Sequence, residues 1–168
     1  MNSALSEFGV PVEICLVTRS LQGSMESLQR FGIGPWRVYR FDATTVSDRR
    51  SFGEPDDYEI DVAFASKEPL VWEIMQPLKG APALQSALDN GPFAWHHLAF
   101  DGGFLSFAQR RKRLDELQAS PVLSGVWLDL VPFYFFTLPE MPSLIMEIYD
   151  FPADFVYPEP VRWFPTRQ

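Results

Sequence analysis

Two short segments decide how this chain folds: Leu70-Val71-Trp72-Glu73-Ile74 and Leu144-Ile145-Met146-Glu147-Ile148. In each segment one glutamate interrupts an apolar run of strand length, and a proline follows a few residues later. An ionised carboxylate inside a buried strand costs several kcal/mol unless a cation, a metal or a hydrogen-bond donor meets it. Two glutamates in such similar surroundings therefore indicate one shared partner.

The similarity extends back along the chain from both segments. Val12-Glu13-Ile14-Cys15-Leu16-Val17 precedes the first segment, and Trp95-His96-His97-Leu98-Ala99-Phe100 precedes the second; a helix-like stretch follows each. Aligning the two halves as an internal repeat pairs Glu13 with His97 and Glu73 with Glu147. Four metal-competent side chains thus fall on the first and last strands of two equivalent units.

The coarse pattern predicts two β-α-β-β-β units and an α+β fold. The predicted strands are 11–17, 36–41, 58–65 and 70–76 in the first unit, and 94–101, 121–128, 133–138 and 143–149 in the second. Apolar residues at helical spacing predict a helix around Leu21–Leu28 and another around Phe104–Leu117. We expect an N-terminal module over 10–78, a C-terminal module over 92–152, and a proline-rich and aromatic tail over 153–168 that packs on the body.

Composition limits the function classes. With 168 residues, 46% of them hydrophobic, the chain is large enough for a sizeable core. A net charge of −8 argues against nucleic-acid binding, and the basic run Arg110-Arg111-Lys112-Arg113 is expected to be a solvated helix face. The pattern predicts neither a membrane span nor a signal peptide. The single cysteine, Cys15, fits a reducing compartment, so a cytoplasmic location is expected.

These motifs resemble the vicinal oxygen chelate superfamily. The resemblance rests on Gly32-Ile33-Gly34-Pro35-Trp36, on the strands that contain Glu73 and His97, and on the closing Ile145-Met146-Glu147-Ile148. It covers about residues 10–152 and is nearest to the glyoxalase I and methylmalonyl-CoA epimerase type. It implies two βαβββ modules that form a cupped, barrel-like mixed sheet around a divalent metal.

The resemblance also implies the metal ligands, which fall on Glu13, Glu73, His97 and Glu147. The family commonly has histidine where this chain has Glu13. Three carboxylates and one imidazole favour Mg²⁺, Mn²⁺ or Fe²⁺ over Zn²⁺. Because three carboxylates leave one excess negative charge around a divalent ion, a metal-free cup adapted to other chemistry stays open as the alternative.

The function implied is an isomerase, epimerase or lyase acting on an enolisable carbonyl compound through a metal-stabilised enolate, with Glu73 and Glu147 as base and conjugate acid. The aromatic-rich lining suggests a bulky aromatic or polyketide-like small molecule as substrate, and a homodimer is expected. One alternative is a non-catalytic, drug-sequestering protein. A dioxygenase is a weaker alternative, because such enzymes usually hold iron with two histidines and one carboxylate.

Several residues also have a plain structural interpretation. His96 and His97 are strand neighbours, so His97 is assigned to the cup and His96 to a packed or hydrogen-bonded position. Cys15 is expected to be a small buried hydrophobe. The alternative partners for Glu73 and Glu147 are the arginines Arg37, Arg40 and Arg162. The aromatics considered as a substrate wall, most of them expected to be core, are Trp72, Trp95, Trp127, Phe133, Tyr134, Phe135 and Phe136.

Overall fold

The computed structural model describes residues 6–166, apart from the side chain of Lys67. The first half contains β1 (Gly9–Thr18), α1 (Leu21–Gln29), β2 (Trp36–Phe41), β3 (Val46–Ser51), β4 (Glu54–Pro55), β5 (Glu59–Lys67) and β6 (Leu70–Lys79). The second half contains α2 (Pro82–Ala87), β7 (Phe93–Gly102), α3 (Phe107–Glu116), β8 (Ser120–Trp127), β9 (Val131–Leu138), β10 (Met141–Tyr149) and β11 (Arg162–Phe164). The predicted strands and helices are present within a few residues, whereas the sequence pattern does not predict β3, β4 and β11.

Local sequence signals account for the two longer helices. The Ser20 hydroxyl accepts a hydrogen bond from the Gly23 amide at the start of α1, and Ser106 and Gln109 form a reciprocal capping box at the start of α3. Leu21 and Met25 of α1 bury against one end of the sheet, and Leu114 of α3 buries against the other. Each helix therefore covers the outer face of its own module.

The described strands form one mixed sheet in the order β11-β2-β5-β6-β1-β7-β10-β9-β8-β3-β4. The rings of Tyr39 on β2 and Trp127 on β8 have centroids only 5.2 Å apart, although six strands separate β2 from β8 in this order. In a flat sheet these two strands would lie roughly 34 Å apart. The sheet is therefore curved into a cup whose concave face carries the largest apolar cluster, and the α+β fold with a cupped mixed sheet is confirmed.

The strand pairing follows the same internal repeat as the sequence. In the parallel pair β1–β6, Cys15 lies opposite Glu73, and in the parallel pair β7–β10, Ala99 lies opposite Glu147. The central antiparallel pair β1–β7 joins the halves, with Glu13 opposite Ala99 and Cys15 opposite His97. Exchanging the two modules maps each of these pairs onto its counterpart.

Each central strand contains a one-residue irregularity just before its candidate ligand. The β1–β7 register shifts between Pro11 and Glu13, which leaves Val12 unpaired, and again between Cys15 and Leu16, which leaves His96 unpaired on β7. Such β-bulges bend a strand and redirect the next side chain. Equivalent bulges thus precede Glu13 and His97.

Two segments tie the modules together. The β3–β4 hairpin leaves the first module and pairs with β8 of the second. The C-terminal strap, residues 151–164, runs in the opposite sense and ends as β11 against β2 of the first module. The Tyr39 hydroxyl donates to the Pro158 carbonyl at 3.2 Å, and the Arg37 guanidinium lies 4.1 Å from the centre of the Tyr157 ring.

The prediction of a solvated basic face on α3 is wrong for Arg110. This side chain is only 2% exposed, and it donates to the Tyr149 carbonyl at 2.9 Å and to Asp150 at 3.4 Å. Helical spacing turns Arg110 toward the end of β10 because Leu114, one turn later, faces the core. None of the helices within residues 6–166 has the length and apolar character needed to cross a membrane.

Candidate metal centre

Four buried side chains from four neighbouring strands meet on the concave face. The Nε2 atom of His97 lies 3.0 Å from Glu147 Oε2, 3.2 Å from Glu73 Oε2 and 4.0 Å from Glu13 Oε1. The candidate ligand atoms of all four residues lie within 4.8 Å of one another. The structure therefore brings together the four residues proposed from the sequence.

The register explains this convergence. Glu73 and Glu147 occupy equivalent positions on β6 and β10, which flank the central pair β1–β7. Because alternate residues of a strand share a face, Glu13, Cys15 and Val17 all point toward the concave side with Glu73 and Met75. Sheet curvature then closes the remaining distance between the carboxylates.

The cluster carries more negative than positive charge in a dry environment. Burial, reinforced by the charge of Glu73, raises the pKa of Glu13 well above its ordinary value, and burial raises the pKa of Glu147 to about 7. Burial opposes a charged imidazole, but the neighbouring Glu147 carboxylate holds the pKa of His97 well above its ordinary range. In the metal-free protein these groups therefore retain protons that a cation would replace.

Three of the atoms facing one another have no hydrogen-bond partner within the described part of the chain: Glu73 Oε2, Glu147 Oε2 and His97 Nε2. His97 Nε2 lies 3.0 Å from Glu147 Oε2 and 3.2 Å from Glu73 Oε2, a spacing at which all three atoms can bind one ion. Because buried polar atoms without partners are unfavourable, this cluster is a candidate cation site.

Apolar and aromatic residues enclose the space above the carboxylates. The cavity has a volume of about 30 Å³, and its lining includes Glu13, Glu73, Glu147, Phe41, Phe64, Met75, Trp127, Val131, Phe133, Phe135, Tyr149 and Phe151. One water needs about 10–15 Å³ of such space. The cavity therefore has room for an ion with its water but not for a bulky organic molecule.

The aromatics considered as a substrate wall divide between the cavity and other parts of the fold. Trp127, Phe133 and Phe135 line the cavity. Trp72 and Trp95 contact each other at 6.2 Å, with Trp72 against the apolar cluster under α1, and Tyr134 and Phe136 belong to the cluster under α3. Sequence reasoning missed Phe41, Phe64 and Phe151 as lining residues; the alternation of Tyr39 with Phe41 along β2 was the available signal.

The strap packs beside the cavity. The Phe155 ring lies 5.7 Å from that of Trp127 and 5.2 Å from that of Tyr157, and Phe151 packs on Phe155 at 4.9 Å. These aromatics run from the end of β10 to β2, and Phe151 is the strap residue that lines the cavity.

The alternative arginine partners for the glutamates are excluded. Arg40 pairs with Asp61 at 2.6 Å and Arg162 donates to Gln22 at 2.9 Å, while Arg37 stacks on Tyr157. Cys15 is fully buried, and burial raises the pKa of its thiol well above its ordinary value. As expected from the sequence, Cys15 behaves as a small buried side chain rather than as a thiolate.

Known structures share this architecture. The methylmalonyl-CoA epimerase from Mycobacterium tuberculosis matches with a TM-score of 0.64 at 14% identity, over 91% of this chain and 94% of that one. A hypothetical protein from Bacillus halodurans C-125 matches with a TM-score of 0.59 at 12% identity, over 88% and 98%. A variant Streptomyces coelicolor methylmalonyl-CoA epimerase, in complex with 2-nitronate-propionyl-CoA, matches with a TM-score of 0.59 at 10% identity, over 89% and 100%.

At these identities the likeness establishes the fold. The chain has the vicinal oxygen chelate, or glyoxalase-like, fold that the sequence motifs implied. No protein-family profile matches the chain, and a sequence search of curated proteins gave no match.

Proposed function

We propose that this protein is a divalent-metal-dependent isomerase, epimerase or lyase that moves a proton beside the carbonyl group of a small organic substrate. One observation carries the proposal: Glu73 and Glu147 direct unpaired, buried oxygens at the same imidazole nitrogen, at 3.2 and 3.0 Å, beneath an apolar cavity. Glu13, Glu73, His97 and Glu147 would hold the ion. A bound divalent ion supplies Lewis acidity that lowers the pKa of a C–H group next to a carbonyl.

The two carboxylates suit proton transfer because they occupy equivalent places in the two modules. Glu73 approaches His97 from β6 and Glu147 approaches it from β10, on either side of the central strands. A substrate carbon bound in the cavity above the cluster would lie beside both carboxylates. One can accept the proton as general base while the other, protonated, returns one.

The lining supports a neutral, apolar substrate. Among the described residues that line the cavity there is neither lysine nor arginine, so a carboxylate on the substrate would find no counter-charge beside the three glutamates. The rings of Phe64, Trp127 and Phe135 offer flat apolar surface instead. This lining supports an aromatic or polyketide-like carbonyl compound as the substrate.

A drug-sequestering protein is the second candidate, since an apolar cup with aromatic walls also suits passive binding. The three buried carboxylates argue against it, because a purely apolar ligand does not offset the cost of burying them. A dioxygenase is less well supported, since only His97 among the four candidate ligands is a histidine.

The test is exchange of substrate hydrogen with deuterated water. A panel of neutral aryl ketones and acyl thioesters is incubated with the Mn²⁺-loaded protein, and loss of the α-hydrogen is followed by proton NMR after the ion is removed. Glu73→Gln and Glu147→Gln should each slow exchange by at least roughly 10²-fold. The exposed Glu140→Gln is the matched control and should exchange normally.

Exchange that survives both Gln variants would reject these carboxylates as the proton carriers. Tight binding of an aromatic ligand by metal-free protein, with no exchange under any condition, would favour the sequestering protein. The homodimer and the cytoplasmic location expected from the sequence stay predictions, which analytical ultracentrifugation and cell fractionation test directly.

A further inference from the structure

His96 is a buried polar residue that the proposed reaction does not use. Its side chain is 6% exposed and packs 5.9 Å from the Phe135 ring. Its Nδ1 atom lies 2.9 Å from the Nδ1 atom of His97, whereas its Nε2 atom has no hydrogen-bond partner within residues 6–166. A buried nitrogen without a partner is unfavourable, so its presence calls for an explanation.

The bulge in β7 makes this contact possible. In a regular strand, consecutive side chains point to opposite faces, so His96 and His97 could not both be buried beside the cup. Because His96 is the unpaired residue of the bulge, its ring turns toward the ring of His97, and the two rings meet nearly perpendicularly at 79°. The strand irregularity thus places one histidine directly behind the other.

A contact between two Nδ1 atoms requires one to carry a hydrogen and the other a lone pair. His97 Nε2 is the atom that faces Glu73 and Glu147, at 3.2 and 3.0 Å, so it must offer a lone pair to a cation. The hydrogen of a neutral His97 ring then sits on Nδ1, and His96 Nδ1 is its acceptor. Phe135, 4.4 Å from the His97 ring, packs against the same imidazole.

We propose that His96 is a positioning residue that fixes the tautomer and the ring orientation of His97, so that His97 Nε2 faces the three carboxylates. This inference rests on the metal-dependent function proposed above. Metal-bound histidines commonly donate their second N–H to a carboxylate or a carbonyl. A neutral imidazole does the same here without adding a fourth negative charge beside Glu13, Glu73 and Glu147.

The proposal is tested by ion affinity rather than by turnover. Mn²⁺ binding is measured by calorimetry for the wild type, His96→Phe and His96→Asn, with circular dichroism to establish that each variant folds. His96→Phe keeps an aromatic ring but removes the acceptor, and its affinity should fall about 10–100-fold. His96→Asn keeps an oxygen acceptor near the Nδ1 position and should recover most of the loss.

A second measurement needs no substitution. Nitrogen-15 NMR of the wild type loaded with diamagnetic Mg²⁺ should find the hydrogen of His97 on Nδ1. A His97 hydrogen on Nε2 in the loaded protein would overturn the proposal, even if the Phe variant does not fold.

The outcomes separate this inference from the proposed function. A wild type that binds no divalent ion overturns the metal centre and this inference together. If His96→Phe binds Mn²⁺ as tightly as the wild type does, the positioning role alone is overturned. A thiolate charge-transfer band in the Co²⁺-loaded protein would also overturn it, because the ion would then lie among Cys15, His96 and His97, whose ligand atoms also lie within 4.8 Å of one another.

Discussion

Replacing Glu147 with glutamine separates two effects of this residue: its buried charge lowers the stability of the protein, and its carboxylate is a candidate metal ligand. Burial raises the Glu147 pKa from 4.5 to about 7 in the metal-free protein. The folded state therefore holds this proton more tightly than the unfolded state does. As pH rises from below 4.5 through about 7, the unfolded chain releases the proton first and the folded protein loses stability.

The rise in the Glu147 pKa determines how much stability the protein loses. A carboxyl whose pKa rises from 4.5 to about 7 lowers the free energy of unfolding by about 3 kcal/mol at about pH 8, and by about 1 kcal/mol at about pH 5. Because glutamine is uncharged, Glu147→Gln should stabilise the metal-free protein by about 3 kcal/mol at about pH 8. At roughly 2–4 °C per kcal/mol for a chain of this size, the melting temperature should rise by about 10 °C.

With saturating Mn²⁺, the wild type should instead be more stable than Glu147→Gln. The wild type keeps its ligand set, and an ion present at about 100 times its dissociation constant adds about 2.7 kcal/mol of stability. Glu147→Gln lacks one charged ligand, so Mn²⁺ should add much less to its stability. Thermal unfolding of the wild type, Glu147→Gln and the exposed control Glu140→Gln, at both pH values with chelator and with Mn²⁺, measures all these effects.

One outcome would refute the reasoning. If Glu147→Gln destabilises the metal-free protein at about pH 8, the ionised carboxylate is a favourable structural partner of His97, and its burial is no argument for a cation. The control should stay within about 0.5 kcal/mol of the wild type under every condition.

Three further predictions test the fold and the site. Chelator treatment of wild-type protein purified with Mn²⁺ should lower its melting temperature by about 5–11 °C, the equivalent of about 2.7 kcal/mol, and an unchanged melting curve would count against a resident ion. Gly125→Ala should destabilise the protein by about 1–3 kcal/mol in urea unfolding. A Cβ atom at this position would lie 2.6 Å from Val46 and 2.8 Å from the Tyr58 hydroxyl. If the variant is as stable as the wild type, the hairpin does not pack on β8 as described. Cys15→Ala should leave Mn²⁺ affinity unchanged in calorimetry, since the equivalent residue of the second module is already Ala99, and a large loss would make the thiol a ligand.

The order of the elements was readable from the sequence because the signals are local. Apolar runs of strand length, each interrupted by a single polar residue, identified β1 and β6, and helical spacing identified α1. The β3–β4 hairpin lacks such a run, since Ser47, Asp48, Arg49 and Arg50 are all polar. Its partner strand β8 begins at Ser120, far along the chain.

The sequence by itself determined which residues belong together. A carboxylate inside an apolar strand is unfavourable wherever that strand is buried, so Glu73 and Glu147 need a partner. The internal repeat then matched Glu13 with His97 and Glu73 with Glu147. Only the tertiary structure decided that their atoms meet at 3.0 to 4.0 Å. That convergence depends on strand register, on the curvature of the sheet and on bulges before Glu13 and His97, which arise from pairing between distant strands. Because no local pattern encodes such pairing, the contact between His96 and His97 and the pairing of the strap with β2 became visible only in three dimensions.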